Sequence, residues 1–526
     1  MFGFFIKKFI NNWITNWITN LVSIKDTKLL WFFLVLFYIA IRTPVWFYPI
    51  DSDHWIFAVI GQRWISGEGI LYIDFWDHKP PIIFIINGLV SLITGGDIWL
   101  FRLMLTVFNL VEIYLFYKLI KSLINKLPEN YLINKTSYPL IISALYAIIR
   151  NFSQIASSGN NTENFGVILI IISYSQLLIF YQPEIKNRSK SIMLIGICFS
   201  LIFWLKANMT LLFIPIFVAI TYKLFTIWIS GQKIKSIKLF TILFLPLVVV
   251  SLAIISYFGS LGYLSELWIG SFGFSAKYVQ VGFKGALSDT KTFLLILLPL
   301  FLMLLFPLGN WVIRLKNQKL NKLELLIFFT LLINLFYLGI SGTYYPYYVL
   351  ISLPVLIVFG FIGHINLKGL LQKISSAIII FGIVICGVIS YKQPFNFFYG
   401  EVANLQNEYF QIADYIKKNT DEDDRIFSYI YGASLYGLTG RKPATKYLSA
   451  SFMLLDYREK LGFNINQTVL RDLSSQKSPK FVIMYKDKNP KTSLYATNQP
   501  IQEFLLTNYS KIEKKFETLE IRSRGN

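Results

Sequence analysis

The chain has 526 residues, 55% of them hydrophobic and 17% aromatic, with only 15% charged. A soluble domain carries about a quarter charged residues, so this balance excludes an ordinary water-soluble globule and points to a bilayer. Lysine and arginine number 50 against 29 acids, a net charge of +21; the bases cluster in short loops between apolar runs, where they orient helices rather than bind nucleic acid.

Residues 1–28 hold Lys7, Lys8, Lys25 and Lys28 and a repeat, FINNWITNWITNL, that sets Trp13 and Trp17 one helical turn apart. This reads as a cytoplasmic segment with an interfacial helix. No small-residue cleavage site follows the first apolar run, which is therefore expected to be an uncleaved anchor. Runs near the ~20 residues needed to span a bilayer recur, clearly at Leu29–Tyr48, Ile98–Ile120, Met209–Ser230 and Leu239–Phe258. Cys198 and Cys386 sit inside such runs and read as packing residues, not a disulfide framework.

The basic clusters set the topology. Lys186/Arg188/Lys190, Lys233/Lys235/Lys238, Arg314/Lys316/Lys319/Lys322 and Lys368/Lys373 are all expected on the cytoplasmic face, with Lys118, Lys121 and Lys126. A full crossing by Pro81–Thr94 would put Lys118–Lys126 outside. That segment is short for a span and is closed by Gly95-Gly96-Asp97, so it is expected to be a re-entrant or interfacial helix on the outer face. The expected fold is a polytopic α-helical membrane protein of about eleven transmembrane helices. The polar features then gather outside: the first outer loop (49–97), SQIASSGNNTENFG, Lys206, Gly259–Asp289 and SGTYYPYY.

From about Phe395 the composition changes. ADYIKKNTDEDDRIFSYIYG reads as helix, acidic turn and strand, NQTVLRDLSSQKSPK as a helix, and FVIMY as a second strand. The expected division is an N-terminal segment 1–28, a transmembrane module 29–392, and an extracytoplasmic α/β domain 393–526. That domain has no phosphate-binding glycine fingerprint, so no nucleotide cofactor is assigned to it.

The first outer loop concentrates the chemistry. Asp51, Asp53, Glu68, Asp74 and Asp77 stand beside Arg63, His78 and Lys79. A carboxylate at the membrane surface can take a proton from an acceptor hydroxyl, and the bases can neutralise phosphate. A carboxylate pair could also hold a divalent cation. Against this, Asp53 could cap the following helix, Lys79 could anchor at the interface, Arg63 and Arg102 could be helix-end anchors, and Glu163 could be a helix-start acid. Lys206 near a helix end could snorkel to the surface.

The arrangement of these residues is what raises them above solvated loop polarity. Asp53-His54-Trp55-Ile56-Phe57-Ala58, then Gly67, Tyr72, Asp74 and Asp77-His78-Lys79-Pro80-Pro81, resembles the first outer loop of the C-type, polyprenyl-phosphate-dependent glycosyltransferases. That superfamily includes the protein O-mannosyltransferases and the lipid A aminoarabinose transferases. Asp53 falls on the family's catalytic Asp; the usual following Glu is His54 here. Asn161-Thr162-Glu163 resembles the family's second acidic site, Lys206 in FWLKANM the lysine that contacts lipid phosphate, and SGTYYPYYVLISLP, with Tyr347, the tyrosine-proline element near the lipid. The resemblance spans roughly residues 29–390.

It implies a glycosyltransferase that moves one sugar, with inversion, from a polyprenyl-phosphate-linked donor to a glycan, lipid or protein acceptor on the outer face. Asp53 is the expected catalytic base, and Lys79, Lys206, Arg63 and Tyr347 the expected lipid-phosphate ligands. Glu163, Asp77 and His78 form the expected metal or second acidic site, with a divalent cation as candidate cofactor. Short basic loops and the lack of an organelle retention signal fit a plasma-membrane, cell-envelope enzyme with a cytoplasmic N-terminus. The rival reading is a non-enzymatic lipid or solute transporter, since many spans with intramembrane bases also suit transport. Transporters often carry paired broken helices in repeats; here the polar chemistry is concentrated in one outer loop.

Overall fold

The computed structural model describes residues 27–46, 52–126, 138–156, 159–182, 188–277, 304, 307–317, 320–340, 345–367, 369–399, 401–429, 432–448, 464–486 and 499–525. The WITN repeat, Asp51, the four residues of SGTYYPYY before Tyr345 and the end of Gly259–Asp289 lie outside these residues.

The membrane module is built from α1 (Thr27–Trp46), α2 (Ser52–Ile65), α3 (Ile82–Thr94), α4 (Ile98–Ile124), α5 (Tyr138–Arg150), α6 (Thr162–Phe180), α7 (Arg188–Leu205), α8 (Ile214–Ile229), α9 (Lys233–Ser260), α10 (Lys322–Ile340), α11 (Val349–Ile365) and α12 (Leu370–Tyr399). Among the described residues six helices are long and apolar enough to cross a membrane: Ile98–Ile124, Thr162–Phe180, Arg188–Leu205, Ala207–Ile229, Lys233–Ser260 and Lys322–Gly339. Shorter apolar helices cover Trp31–Thr43, Ile82–Thr94, Tyr138–Arg150, Val349–Ile365 and Leu370–Gly382. The chain is a multi-pass helical membrane protein. α9 leaves Phe240, Leu245, Val248 and Leu252 exposed, the surface a lipid-facing helix presents. The helix expected over Pro81–Thr94 is α3, ending at Gly95. α12 continues through the composition change near 393 as far as Tyr399.

The remainder forms a small α/β unit: α13 (Glu401–Asn419), β1 (Arg425–Ser428), α14 (Gly432–Thr439), β2 (Lys442–Pro443), α15 (Ile465–Ser474), β3 (Phe481–Tyr485), α16 (Gln499–Asn508), β4 (Lys511–Lys515) and β5 (Leu519–Ser523). The sheet order is β2-β1-β3-β5-β4. β1 pairs in parallel with β2 and β3; β5 pairs antiparallel with β3 and β4.

Two apolar cores organise the molecule. One threads the helices through Tyr38, Phe116, Tyr146, Ile171, Ile202 and Leu353. The other joins the first outer loop to the α/β unit, with Trp55, Phe57, Trp76, Phe84, Ile426 and Tyr436 buried together. α2 and α3 cross in backbone contact: a Cβ at Gly61 would lie 2.3 Å from the Phe84 carbonyl oxygen. A Cβ at Gly437 of α14 would lie 2.2 Å from the Trp55 ring, so that glycine lets the α/β unit sit flat on α2. The Trp76 amide donates to the Lys446 carbonyl at 2.9 Å. The loop that carries the sequence motif is therefore roofed by the C-terminal unit.

Candidate functional site

The residues proposed from sequence fall into three groups. The first gathers at the start of α6. Asn161 caps that helix, its side chain accepting from the Asn164 amide at 2.9 Å. Glu163 lies in the first turn and is buried. Its Oε1 is 2.5 Å from Lys206 Nζ, and its Oε2 accepts from the Thr162 hydroxyl at 2.9 Å. Lys206 sits where α7 breaks into a 3-10 turn, with extended backbone that turns its side chain out of the α7 row. Its ammonium stands 4.0 Å over the Tyr348 ring. Tyr347 stacks edge-on with Tyr348 at 5.0 Å and face-on with Tyr345 at 5.4 Å. Asp53, half-buried in the first turn of α2, lies within electrostatic reach of Tyr347. Burial, then the neighbouring Tyr348, Asp53 and Glu163, hold the Tyr347 hydroxyl well above its ordinary pKa. Both carboxylates therefore project their field onto one tyrosine.

Asn160 sets the register between them. Its amide donates to Asn87 Oδ1 at 2.6 Å and to the His54 carbonyl at 3.4 Å, one residue from Asp53. His54 itself is buried, with its ring 4.8 Å from Phe101. Burial, helped by Arg102, depresses its pKa to about 3, so it is neutral. Position 54 therefore offers a neutral imidazole packed on a phenyl ring, not a carboxylate.

The second group is Asp77-His78-Lys79. Tyr72 adopts left-handed backbone, φ 71°, and is buried. That turn folds the loop back so that the Tyr72 hydroxyl donates to the Lys79 carbonyl at 2.7 Å and meets Ser271 Oγ at 3.1 Å. Lys79 Nζ lies 2.7 Å from His78 Nε2, and Asp77 Oδ1 lies 3.8 Å from His78 Nδ1.

The third is Arg63, expected from the sequence to meet lipid phosphate. Arg63 lies ten residues along α2 from Asp53, about 15 Å of helix. Its guanidinium reaches Glu68 at 2.6 Å and the carbonyls of Gly440 and Arg441 at 2.9 and 3.0 Å. These donors are committed to fastening the α/β unit onto α2. Beside it an open cleft of about 500 Å³, bordered by Gln62, Glu68, Asp97, Lys417 and Tyr436, separates the unit from the α3–α4 turn.

Glu163, Asp77 and His78, the residues expected to hold a divalent cation, do not come together as one metal-binding group. Glu163 is spent on Lys206 and Thr162, and His78 Nε2 on Lys79. Among the described residues no three His, Cys, Asp or Glu side chains form a metal-binding group.

Sequence reasoning missed the buried polar chain behind α6. Arg150 donates to Glu112 at 2.6 and 2.7 Å, to Asn109 at 2.6 Å and to Asn164 at 2.5 Å. Tyr146 also donates to Glu112, and Arg42 to Asn151 at 3.3 Å. The signal was present: Glu112 and Arg150 are ionisable residues inside or at the end of apolar helices, which marks them for a partner. Two to four turns beyond Glu163 on α6, a small apolar cavity of about 60 Å³ lies between α4, α6, α10 and α11, lined by Ile170, Tyr174, Leu178, Leu326, Thr330 and Ile351.

This architecture has solved counterparts. ArnT from Cupriavidus metallidurans bound to undecaprenyl phosphate superposes with a TM-score of 0.54 at 11% identity, over 93% of this chain and 97% of that one. The chain has the ArnT fold. Apo ArnT gives a TM-score of 0.53 over the same shares and at the same identity. The likeness in fold covers nearly the whole length of both chains. No protein-family model matches the chain, and no curated protein matches its sequence.

Proposed function

We propose that the protein is an integral membrane glycosyltransferase that moves one sugar from a polyprenyl-phosphate carrier to an acceptor on the outer face. The observation that carries the proposal is the convergence of Asp53, Glu163, Lys206 and Tyr347 where the outer loops meet. The ArnT fold, solved elsewhere with undecaprenyl phosphate bound, supports the carrier class.

Asp53 accepts the proton of the acceptor hydroxyl as the oxygen attacks the anomeric carbon. The carbon–oxygen bond to phosphate breaks, and its electron pair leaves with the lipid phosphate. Lys79 and Lys206 stabilise that departing charge; attack from the face opposite the phosphate inverts the anomeric centre. An ammonium has three donors, so Lys206 can keep Glu163 while another N–H reaches phosphate. Tyr347, beside both carboxylates, contributes a hydroxyl donor. The α/β unit, Lys79 and Asp53 all lie outside the membrane in this reading, and α3 stays on that side.

The test is incubation of the purified protein with a labelled polyprenyl-phosphate sugar in proteoliposomes containing envelope glycan acceptors. Release of free lipid phosphate together with labelled acceptor supports the proposal. Intact donor crossing the vesicle, with no sugar transferred, refutes it in favour of transport.

A further inference from the structure

The proposed function leaves His78 without a task, and the geometry points to one. We infer that His78 is a positioning residue that holds the Lys79 ammonium in place for the donor's phosphate. The inference rests on the reading of Lys79 as a phosphate ligand.

Lys79 has a long, flexible stem, and an unrestrained lysine samples many rotamers at an entropic cost when it binds. Here its two ends are fixed. The backbone end is held by the Tyr72 hydroxyl on the Lys79 carbonyl, with Tyr72 locked in a buried left-handed turn against Ser271. The following Pro80 and Pro81 stiffen the chain on the other side. The ammonium end is held by His78 Nε2 at 2.7 Å. A lysine is only a donor, so this bond requires Nε2 to accept and places the ring proton on Nδ1. Asp77 Oδ1, buried and 3.8 Å from Nδ1, faces that proton and favours the required tautomer. The ring is further pinned by Phe274 at 5.2 Å, and its backbone carbonyl by the Ser275 hydroxyl at 3.3 Å. The remaining two ammonium protons are available to an anion. The His78 bond costs Lys79 none of its charge, unlike the carboxylate that faces Lys206.

The experiment measures undecaprenyl phosphate binding to the full-length protein in nanodiscs. It uses Lys79→Met, His78→Leu, His78→Gln and the double variant Lys79→Met/His78→Leu, each checked by melting temperature. His78→Leu removes the acceptor; His78→Gln keeps an oxygen that can accept from Lys79. The expected result is about tenfold weaker binding for Lys79→Met and several-fold weaker for His78→Leu. His78→Gln is expected to recover most of the affinity. In the Lys79→Met background, His78→Leu is expected to add nothing, because the residue acts only through the ammonium. A loss that is the same with and without Lys79 overturns the inference and makes His78 a packing residue. Normal binding by His78→Leu beside weak binding by Lys79→Met also overturns it. Normal binding by Lys79→Met overturns instead the reading of Lys79 on which the inference stands.

Discussion

Lys206 Nζ stands 2.5 Å from Glu163 Oε1, so the cation expected to meet lipid phosphate is already paired with a buried carboxylate. A phosphate that binds Lys206 must share it with Glu163. This gives a prediction with an unusual sign. Glu163→Gln removes the competing charge and is expected to tighten undecaprenyl phosphate binding by about three- to tenfold, from the strength of a charge-assisted bond. Lys206→Met is expected to weaken it by a similar factor, and Lys206→Arg to keep part of it. Unchanged binding in both Glu163→Gln and Lys206→Met leaves the pair as a packing device only.

Asp53→Asn keeps size and hydrogen bonding and removes proton acceptance. General-base catalysis typically contributes about 10²–10⁴-fold, and turnover should fall by that order. Lipid phosphate binding should stay near normal, because other groups hold the phosphate. Steady-state transfer and equilibrium binding on the same preparation separate the two effects. Near-normal turnover in folded Asp53→Asn protein would falsify its assignment as base.

Much of this site is legible in the sequence because its residues lie in short, local patterns. Asp53 to Ala58, His78 to Pro81 and Asn161 to Glu163 each occupy one turn or one helix start, and local spacing is what a sequence displays. The same holds for the helix, acidic turn and strand over 401–428. Pairings across long separations are different. Lys206 and Glu163 are 43 residues apart, and Arg63 meets Gly440 across 377. Arg63 shares a loop with Asp53 in the sequence; only the fold shows that it also meets Glu68 and the carbonyls of Gly440 and Arg441. The strand β4 is unreadable for another reason: KIEKK is an edge strand, mostly exposed and charged, without the apolar alternation that announces a half-buried strand.

Arg63 as a fastener makes its own prediction. Two carbonyls of the α14–β2 turn depend on it, and a methionine there leaves them without their donor. Burial lowers the Arg63 pKa while Glu68 opposes the shift, so the charge is held by its partner. Arg63→Met is expected to destabilise by about 1–3 kcal/mol through the unsatisfied carbonyls. Amide exchange should rise in 432–448 and along α2, while undecaprenyl phosphate affinity stays within about twofold, since no phosphate contact is removed. A tenfold loss of affinity with unchanged exchange would restore Arg63 to the lipid site.

His54 predicts a pH dependence. Its folded pKa is depressed to about 3, from 6.5 in the unfolded chain. Above pH 6.5 neither state binds the proton and nothing is lost. Below it the unfolded chain takes up a proton that the folded one refuses, so stability falls by up to about 1.4 kcal/mol per pH unit until pH 3. Melting of the detergent-solubilised protein between pH 7 and pH 4 should show this slope. His54→Phe, which keeps the ring against Phe101, should flatten it. A slope identical in wild type and variant assigns the acid sensitivity to other groups.

The Arg150–Glu112 pair decides whether the start of α6 is held from behind. Both side chains are fully buried, and Arg150 also grips Asn164, the neighbour of Glu163. Inside an apolar bundle an unpaired charge has no water to turn to, so breaking one partner of such a pair costs about 3–5 kcal/mol. Arg150→Met and Glu112→Leu should each lower stability by that order. The double variant Arg150→Met/Glu112→Leu replaces a buried ion pair with apolar side chains and should regain most of the loss, because no charge is left stranded. Recovery of stability need not restore Asn164, whose oxygen still lacks its donor. The double variant is therefore expected to melt near wild type while transfer activity stays reduced, the carboxylate of Glu163 having lost the contact next to it. Unfolding monitored by SDS titration, read beside sugar transfer, tests both halves. Strictly additive destabilisation would rule out a direct pair, and full activity in the stable double variant would confine the network to folding.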